Sequence, residues 1–350
     1  MKTSNCIRTA LAGALMLAFS APAFSAGTAA DTNVNNIATV DFEVGGVNQP
    51  DAVSNTAVFE VDRKINLTVA ELGGAYADAS PGAANQALTF TVTNTSNDAL
   101  DFRLTFSQDG TSTSDPFGGT DDFDTANVEF YLDDGDNVFD GGDTLITFLD
   151  EIPADGARTV HVVSDVPFGG ADGDSSSGTL RAFAAVAGSG GSLGADYTQT
   201  AGADAALTVD TVFADGAGDT GDAARDGAHS DDDAYRIRTA QVSVVKTSRI
   251  ISDPFNGTTN PKRIPGATVE YCIEVTNSSL TTDATAVIVS DNIDEATTSF
   301  VVGSGLVNSS SCTAGDGSAG GAYDGNIVTG DLATVTANTT ERFQFRVTID

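Results

Sequence analysis

The residues best suited to chemistry form one acidic loop, which spans positions 132–143 and reads LDDGDNVFDGGD. Four carboxylates and one backbone carbonyl in it follow the oxygen-ligand spacing of calcium loops: Asp134, Asp136, Val138, Asp140 and Asp143. The loop is not an EF-hand, because Leu145 stands where the bidentate glutamate belongs. The alternative is a solvated Asp-Gly turn between two strands. Carboxylates this close repel one another without a counter-ion, which favours calcium as a cofactor.

No catalytic motif accompanies this loop. The sequence contains neither Gly-x-Ser-x-Gly nor His-Glu-x-x-His, and no phosphate-binding glycine loop precedes a helix. His161 lies between Val160 and Val162 on an alternating segment, which predicts a residue on a strand face and not a catalytic base. No pair of acids stands out for glycoside hydrolysis. The sequence therefore predicts a protein that is not an enzyme.

The first 25 residues have the pattern of a secretory signal peptide. Lys2 and Arg8 precede the apolar run 10–19, which is too short to span a bilayer, and 23–25 reads as a small-x-small cleavage site. We therefore predict an extracellular or cell-surface protein that is not inserted in a membrane.

Two cysteines remain after this segment, Cys272 and Cys312. In an exported protein such a pair predicts one disulfide, and closing a loop of about 40 residues contributes on the order of 3–4 kcal/mol. A zinc site is the alternative, although neither cysteine has a second ligand at zinc spacing.

Charge restricts the partners. The formal net charge of −33 becomes −35 once Lys2 and Arg8 are removed with the signal. Such a chain repels nucleic acid and anionic lipid, so neither is expected to bind. The acidity suits a surface exposed to salty water, divalent-cation binding, or both.

The elements that must position these residues are β-strands. Short alternating runs rich in valine, threonine and phenylalanine are separated by polar, glycine-rich connections, and no amphipathic helix follows the signal. A pattern also repeats: Pro81-Gly82-Ala83 leads into a strand ending at Asn94, and Pro265-Gly266-Ala267 leads into one ending at Asn277. Residues 159–163 of the first copy match 343–349 of the second. We predict two copies of one sandwich module.

The second copy, with KTSRIISDPFNGTTNPKRIPGATVEYCIEVTN at its start, resembles the bacterial conserved-repeat module known as domain of unknown function eleven. The resemblance covers 242–350 well and 62–213 more loosely, with a large insertion. It implies tandem immunoglobulin-like β-sandwiches in an exported surface protein. Such modules close with a strand of the type Asn-x-Ala-x-Val, a turn, and a strand that opens with Ser-Asn. Here those residues stand at the N-terminus, at 36–40 and 54–55.

The second module ends on a strand, and the N-terminus carries the closing pair. The resulting hairpin could fold onto its own second module, complete that of another subunit in a head-to-tail homopolymer, or pack on the first module. The residues predicted at a polymer interface are Ile37, Val40, Phe42, Val44, Val58, Phe59, Val61, Phe343, Phe345, Val347 and Ile349.

The predicted fold class is all-β: tandem immunoglobulin-like β-sandwiches with an N-terminal strand-donating hairpin. The predicted segments are a signal peptide (1–25), a donor hairpin (26–61), a first sandwich with an acidic insertion (62–213), an acidic linker (214–238) and a second sandwich (239–350). The leading functional hypothesis is a subunit of an extracellular filament or surface layer, assembled by donor-strand complementation and stabilised by calcium. The alternative is a monomeric adhesin that binds a surface glycan or protein through its loops. Lys64 and Lys246, at matching positions, are candidates for isopeptide bonds.

Overall fold

The computed structural model describes residues 27–219 and 221–350, and the regular elements in these ranges are all β-strands. This confirms the all-β prediction. The predicted signal peptide lies outside the described residues. The part of the chain that the structure describes has no helix long and apolar enough to cross a membrane.

A long two-stranded ribbon comes first in the chain. It consists of six short segments: β1 (Asn33–Asn36), β2 (Thr39–Val40), β3 (Glu43–Val44), β4 (Val47–Asn48), β5 (Ala52–Val53) and β6 (Ala57–Glu60). They pair as nested antiparallel couples, β1 with β6, β2 with β5 and β3 with β4. Gly45 and Gly46 form the two-residue tip with φ of 62° and 80°, the positive values that a type I′ hairpin turn requires and glycine adopts without strain.

The strands that follow build a first sandwich of two five-stranded sheets. They are β7 (Arg63–Ile65), β8 (Leu67–Glu71), β9 (Ala77–Ala79), β10 (Gln86–Asn94), β11 (Leu100–Gln108), β12 (Ala126–Leu132), β13 (Thr144–Ile146), β14 (Phe148–Ile152), β15 (Ala157–Asp165), β16 (Ser175–Val186), β17 (Thr211–Phe213) and β18 (Ala228–Ile237). One sheet has the order β13-β12-β15-β10-β8 and the other β14-β11-β16-β18-β9, while β7 pairs with β17. Apolar side chains that alternate along these strands fill the space between the sheets, among them Phe90, Phe102 and Leu180.

The predicted linker over 214–238 is wrong in its second half. Residues Ala228–Ile237 form β18, which pairs antiparallel with β16 and parallel with β9. The run of aspartates in this segment is typical of a loop, but Tyr235 and Ile237 are buried and anchor the strand. The hydroxyl of Tyr235 donates to the carbonyl of Gln86 at 2.8 Å, which satisfies its polar group inside the core.

A second sandwich follows after the short connection 238–241. Its strands are β19 (Val242–Ser252), β20 (Thr268–Asn277), β21 (Ala284–Asn292), β22 (Thr298–Phe300), β23 (Leu306–Val307), β24 (Ser318–Ala319), β25 (Ala322–Asp324), β26 (Ile327–Val335) and β27 (Thr339–Ile349). One sheet has the order β19-β20-β27-β23-β24, with β22 also on β27, and the other has three strands in the order β21-β26-β25. Cys272 on β20 is joined to Cys312 by the disulfide that the sequence predicted.

Strand β27 is not an open edge. It pairs with β20 on one side and with β22 and β23 on the other. Phe343, Phe345 and Val347 are 0% exposed in the core, and Ile349 is half-buried against it. Their prediction as polymer-interface residues is therefore wrong, because an interior strand with its side chains already packed has nothing to offer another chain.

Candidate assembly surfaces and candidate metal centre

One face of the ribbon is apolar and exposed. Cross-strand partners in a hairpin share a face, and the pairs Val34–Phe59 and Val44–Val47 are both apolar. Side chains alternate along a strand, so Val40 and Phe42 belong to the same face as Val34 and Val44. The exposed fraction is 57% for Val40 and 61% for Val44. The ribbon residues predicted at an interface are exposed or, for Val61, half-buried: Ile37, Val40, Phe42, Val44, Val58, Phe59 and Val61.

Among the described residues, hydrogen bonds join the ribbon to the first sandwich at its base. The N–H of Ala30 donates to the carbonyl of Asn97, and the N–H of Glu60 donates to the carbonyl of Ala206. The Asn97 side chain also donates to the carbonyl of Thr28 at 3.1 Å. Between 34 and 58, the hydrogen bonds of the described residues all stay within the ribbon. The ribbon therefore projects from the first sandwich without covering its own second sandwich.

Two asparagines identify equivalent positions in the two sandwiches. The Asn94 side chain donates to the carbonyls of Asp98 and Ile152, and the Asn277 side chain donates to those of Thr282 and Val335. Each asparagine ends its strand and fixes the turn that leads to the opposite sheet.

The strand that pairs beside each asparagine is buried in the first sandwich and exposed in the second. On β8, Leu67 lies opposite Asn94 and Val69 opposite Val92, whereas on β19, Val242 lies opposite Asn277 and Val244 opposite Val275. Leu67 and Val69 are 0% and 3% exposed, but Val242 and Val244 are 46% and 61% exposed. All four side chains face the interior of their sandwich, so the interior of the second is open at β19.

Two strands account for the difference. In the first sandwich β16 pairs with β11 over nine positions, and β18 then pairs with β16 and packs over β8. Side chains of β18 accept from the free edge of β8: the N–H of Val69 donates to His229 Nδ1 and that of Glu71 to Asp231 Oδ2. In the second sandwich β21 pairs with β26, and its other edge has no strand among the described residues.

One ion pair bridges the open side. Lys246 Nζ on β19 lies 2.6 Å from Asp291 Oδ2 on β21, and it also lies 4.3 Å from the centre of the Tyr271 ring. Lys246 lies opposite Ile273 on β20, and Glu71 holds the equivalent position on β8 of the first sandwich. The predicted match of Lys246 with Lys64 is therefore wrong. Lys64 instead belongs to β7, where its N–H donates to Asn97 Oδ1. An isopeptide bond at either lysine stays a prediction.

The acidic loop lies between β12 and β13 and closes over a buried histidine. His161 Nε2 is 3.3 Å from Asp133 Oδ1 and 3.8 Å from Asp143 Oδ2, and the three side chains are at most 3% exposed. His161 lies on strand β15 as the alternation predicted, with Nδ1 2.9 Å from the Thr89 hydroxyl. Asp133 and His161 were missed by the loop spacing, because Asp133 precedes the calcium pattern and His161 comes from another strand.

The predicted ligands divide into two groups that share Asp133. Asp134 and Asp136 place carboxylate oxygens near those of Asp133, and Asp143 does so together with His161. Asp140 belongs to neither group, and its carboxylate accepts the N–H of Gly142. The Val138 side chain is 61% exposed.

The electrostatics of this loop favour a cation. Desolvation within the loop is the largest cause that raises the pKa of Asp134, followed by repulsion from Asp136 and Asp140. An all-oxygen group of Asp133, Asp134 and Asp136 suits calcium, whereas a nitrogen ligand from His161 suits zinc or another transition metal. Backbone N–H groups already donate to several of these carboxylates. The N–H of Asp134 donates to Asp143 Oδ1, and the N–H of Asn137 donates to Asp133 Oδ1.

No family model and no curated protein matches the chain, so the resemblance to the conserved-repeat module stays a prediction. Two solved structures are similar to it. The C-terminal domain of the AgI/II polypeptide BspA from Streptococcus agalactiae has 7% identity and a TM-score of 0.37, covering 81% of this chain and 91% of that one. The CupB6 tip adhesin from Pseudomonas aeruginosa has 11% identity and a TM-score of 0.22, covering 82% and 86%. Scores this low do not establish a shared fold.

Proposed function

We propose that the protein is a structural, non-enzymatic subunit of an extracellular filament or surface layer. Subunits join head to tail when the ribbon of one enters the open side of the second sandwich of another. The observation that carries this proposal is the contrast between Val69, which is 3% exposed, and its equivalent Val244, which is 61% exposed. The second sandwich leaves part of its interior face exposed, and the ribbon presents an exposed apolar face in the described part of the chain.

The base of the ribbon and the entry to the second sandwich lie at opposite ends of β10. The ribbon leaves the first sandwich beside Asn97, just beyond the end of β10. The second sandwich is reached from β18, whose last residue Ile237 pairs with Ala79, near the start of β10. The nine residues of β10 separate these ends by about 30 Å at 3.3 Å per residue. This separation of the ribbon base from the second sandwich supports joining to a neighbour.

Burial supplies the driving force. Fully burying one valine or phenylalanine side chain contributes roughly 1.5–3 kcal/mol, and the ribbon exposes several on one face. Main-chain hydrogen bonds to a free strand edge add affinity and register. Association costs roughly 4–15 kcal/mol in lost freedom, so the full set of ribbon contacts is required.

We also propose that the acidic loop binds calcium through Asp133, Asp134 and Asp136, with Asp143 and His161 beneath. With a formal charge of −35 after removal of the predicted signal, subunits repel one another, and bound cations reduce that repulsion. Calcium is therefore expected to strengthen assembly.

Negative-stain microscopy and size-exclusion chromatography test the assembly. The chain without its signal should form polymers, whereas deletion of residues 26–61 should leave monomers. Adding a 26–61 peptide should cap those monomers without restoring polymers, because a single ribbon fills one acceptor and carries no second sandwich. Wild-type protein that stays monomeric at all concentrations, with and without calcium, would overturn the proposal.

A second candidate is a monomeric adhesin, which one surface feature favours. Phe300 and Tyr323 stack with centroids 4.7 Å apart beside Val302, which is 88% exposed, at a groove in the second sandwich. Aromatic platforms of this kind suit a sugar ring or an apolar peptide side chain. Binding to a glycan array that Tyr323→Ala abolishes, by a protein that stays monomeric, would favour the adhesin.

A further inference from the structure

The first sandwich shows how the open side of the second should be filled. Strand β16 runs antiparallel to β11, from Gly178 opposite Gln108 to Val186 opposite Leu100. Strand β18 then returns beside β16 and packs over β8. The start of β16 and the end of β18 therefore lie near the start of β10, and the segment that connects β16 to β18 leaves β16 near the end of β10.

Resting on the proposed function, we infer that the ribbon enters in one defined arrangement. Its outgoing strand, β1 to β3, pairs antiparallel with the free edge of β21, as β16 does with β11. Its returning strand, β4 to β6, lies over β19, as β18 lies over β8. The glycine tip points toward the connection between the two sandwiches, and the ribbon base stays at the far end, beside Pro265.

The regularity of the two ribbon strands supports this order. Between the pairs Asn36–Ala57 and Thr39–Val53, the outgoing strand advances by three residues and the returning strand by four. The same difference separates the pair Val40–Ala52 from the pair Glu43–Asn48. The extra residues therefore lie in the returning strand, which also contains Pro50. An unbroken strand suits a new ladder with β21, whereas bulges and proline belong on an outer strand.

The side chains also match in kind. The inward-facing residues of β11 include Phe102 and Leu104, which β16 covers with Ala184 and Ala182. The corresponding positions on β21 are Val287 and Val289, which are half-buried and pack against the second core. In this orientation the ribbon face with Val40, Phe42 and Val44 meets them and Val244, while the opposite face, which carries Asp41 and Glu43 together with Ile37, stays in solvent. The eleven positions from Val34 to Val44 span the nine residues of β21, and we place Val40 opposite Val289 and Phe42 opposite Val287, so that the apolar residues of the two strands meet.

This orientation gives the filament a direction. Each second sandwich is followed by the ribbon base and first sandwich of the next subunit, so the contact is heterologous and repeats along one axis.

Inter-subunit disulfides test the strand order and polarity. Neighbouring strands place opposed Cα atoms about 4.5–5.5 Å apart, within disulfide range. Outward-facing cysteines leave the apolar contacts intact, so one is placed at Ile37 or Asp41 and a second at Ile288 or Asn292. Ladders of covalent oligomers should form for Ile37→Cys with Asn292→Cys and for Asp41→Cys with Ile288→Cys. The matched control is Val53→Cys on the returning strand, which should not cross-link to either β21 position.

The outcomes separate this inference from the proposed function. Ladders from the crossed combinations, Ile37 with Ile288 and Asp41 with Asn292, would show parallel pairing and overturn the inferred polarity. Ladders from Val53→Cys would show that the returning strand contacts β21. Polymers that form normally but cross-link in no combination would place the ribbon elsewhere and also overturn the inference. Absence of polymers in every variant and in the wild type would instead overturn the proposed function.

Discussion

The two sandwiches share one plan and differ in closure. In both, a strand ends at an asparagine whose side chain fixes the following turn, and a strand beside it points apolar side chains inward. In the first, two further strands cover those side chains, whereas in the second Val242 and Val244 are left open. Burial of a strand is thus decided by partners distant in the sequence and not by the strand's own pattern.

The largest expected effect is on the free energy of unfolding, when an aspartate is introduced at equivalent positions of the two sandwiches. Val69→Asp places an unpaired carboxylate in a closed core and should lower the free energy of unfolding by about 3–5 kcal/mol. Val244→Asp changes a side chain that is 61% exposed, so the isolated subunit should change by less than about 0.5 kcal/mol. Chemical denaturation of ribbon-deleted subunits measures both.

Assembly should reverse this ranking. Val244→Asp should abolish polymers, because the carboxylate would be buried under the incoming ribbon. Val302→Asp is the matched control, since Val302 is an exposed valine of the same sandwich outside the inferred contact. Equal assembly by both variants would mean that the open face is not the acceptor.

Removal of the disulfide should affect one sandwich alone. Cys272→Ala with Cys312→Ala opens a loop with a sequence separation of 40 residues, so the second sandwich should lose about 4 kcal/mol in the chain-entropy model. The first sandwich has no cysteine and should unfold unchanged. Hydrogen exchange resolved by segment measures each sandwich, and loss of protection in both to the same extent would contradict independent cores.

Three carboxylates of the first sandwich, which are buried or half-buried, should also make it sensitive to pH. Burial is the largest cause that raises the pKa of Asp121 and Asp232 to about 6 and that of Asp233 to about 8. Folding therefore favours the protonated forms, so their contribution is complete below about pH 4 and is lost as the pH rises through 6 and 8.

Asp233→Asn is the control for this pH dependence, because the amide oxygen can still accept the N–H of Ala234. The variant should flatten the fall in unfolding free energy above pH 6. A wild-type protein whose first sandwich is equally stable at pH 4 and pH 8 would contradict the burial of these carboxylates.

Calcium should have the smallest effect on the isolated subunit. At a concentration about ten times Kd, binding adds about 1.4 kcal/mol to the free energy of unfolding. Asp136→Asn, at one of the three proposed ligands, should remove most of that gain, whereas Asp124→Asn, an exposed acid of another segment, should retain it. Thermal unfolding with and without calcium, together with terbium luminescence, measures this. Identical curves for wild type in both conditions would rule out the site.

Sequence patterns predicted the positions of the strands better than the pairing and burial of those strands. The alternation around Phe90 and Tyr271 identified the paired strands, and the cysteine count identified the disulfide. Strand β18 was missed because its aspartates are typical of loops, while Tyr235 supplies the burial that holds it.

The candidate sites were predicted only in part. Interior placement of Phe343 could not be read from a strand at the end of the sequence, because only the pairing with β20 and β23 shows that β27 is central. The approach of His161 to Asp133 likewise depends on the pairing of β12 with β15, which joins residues distant in the sequence.

The central claim is tested most directly by mixing two variants that cannot polymerise alone. One lacks residues 26–61 and keeps an open acceptor, and the other carries Val244→Asp and keeps its ribbon. Light scattering with size-exclusion chromatography should show a heterodimer of one copy of each and no larger species. Two unmixed monomers, under conditions in which the wild type forms polymers, would contradict the account.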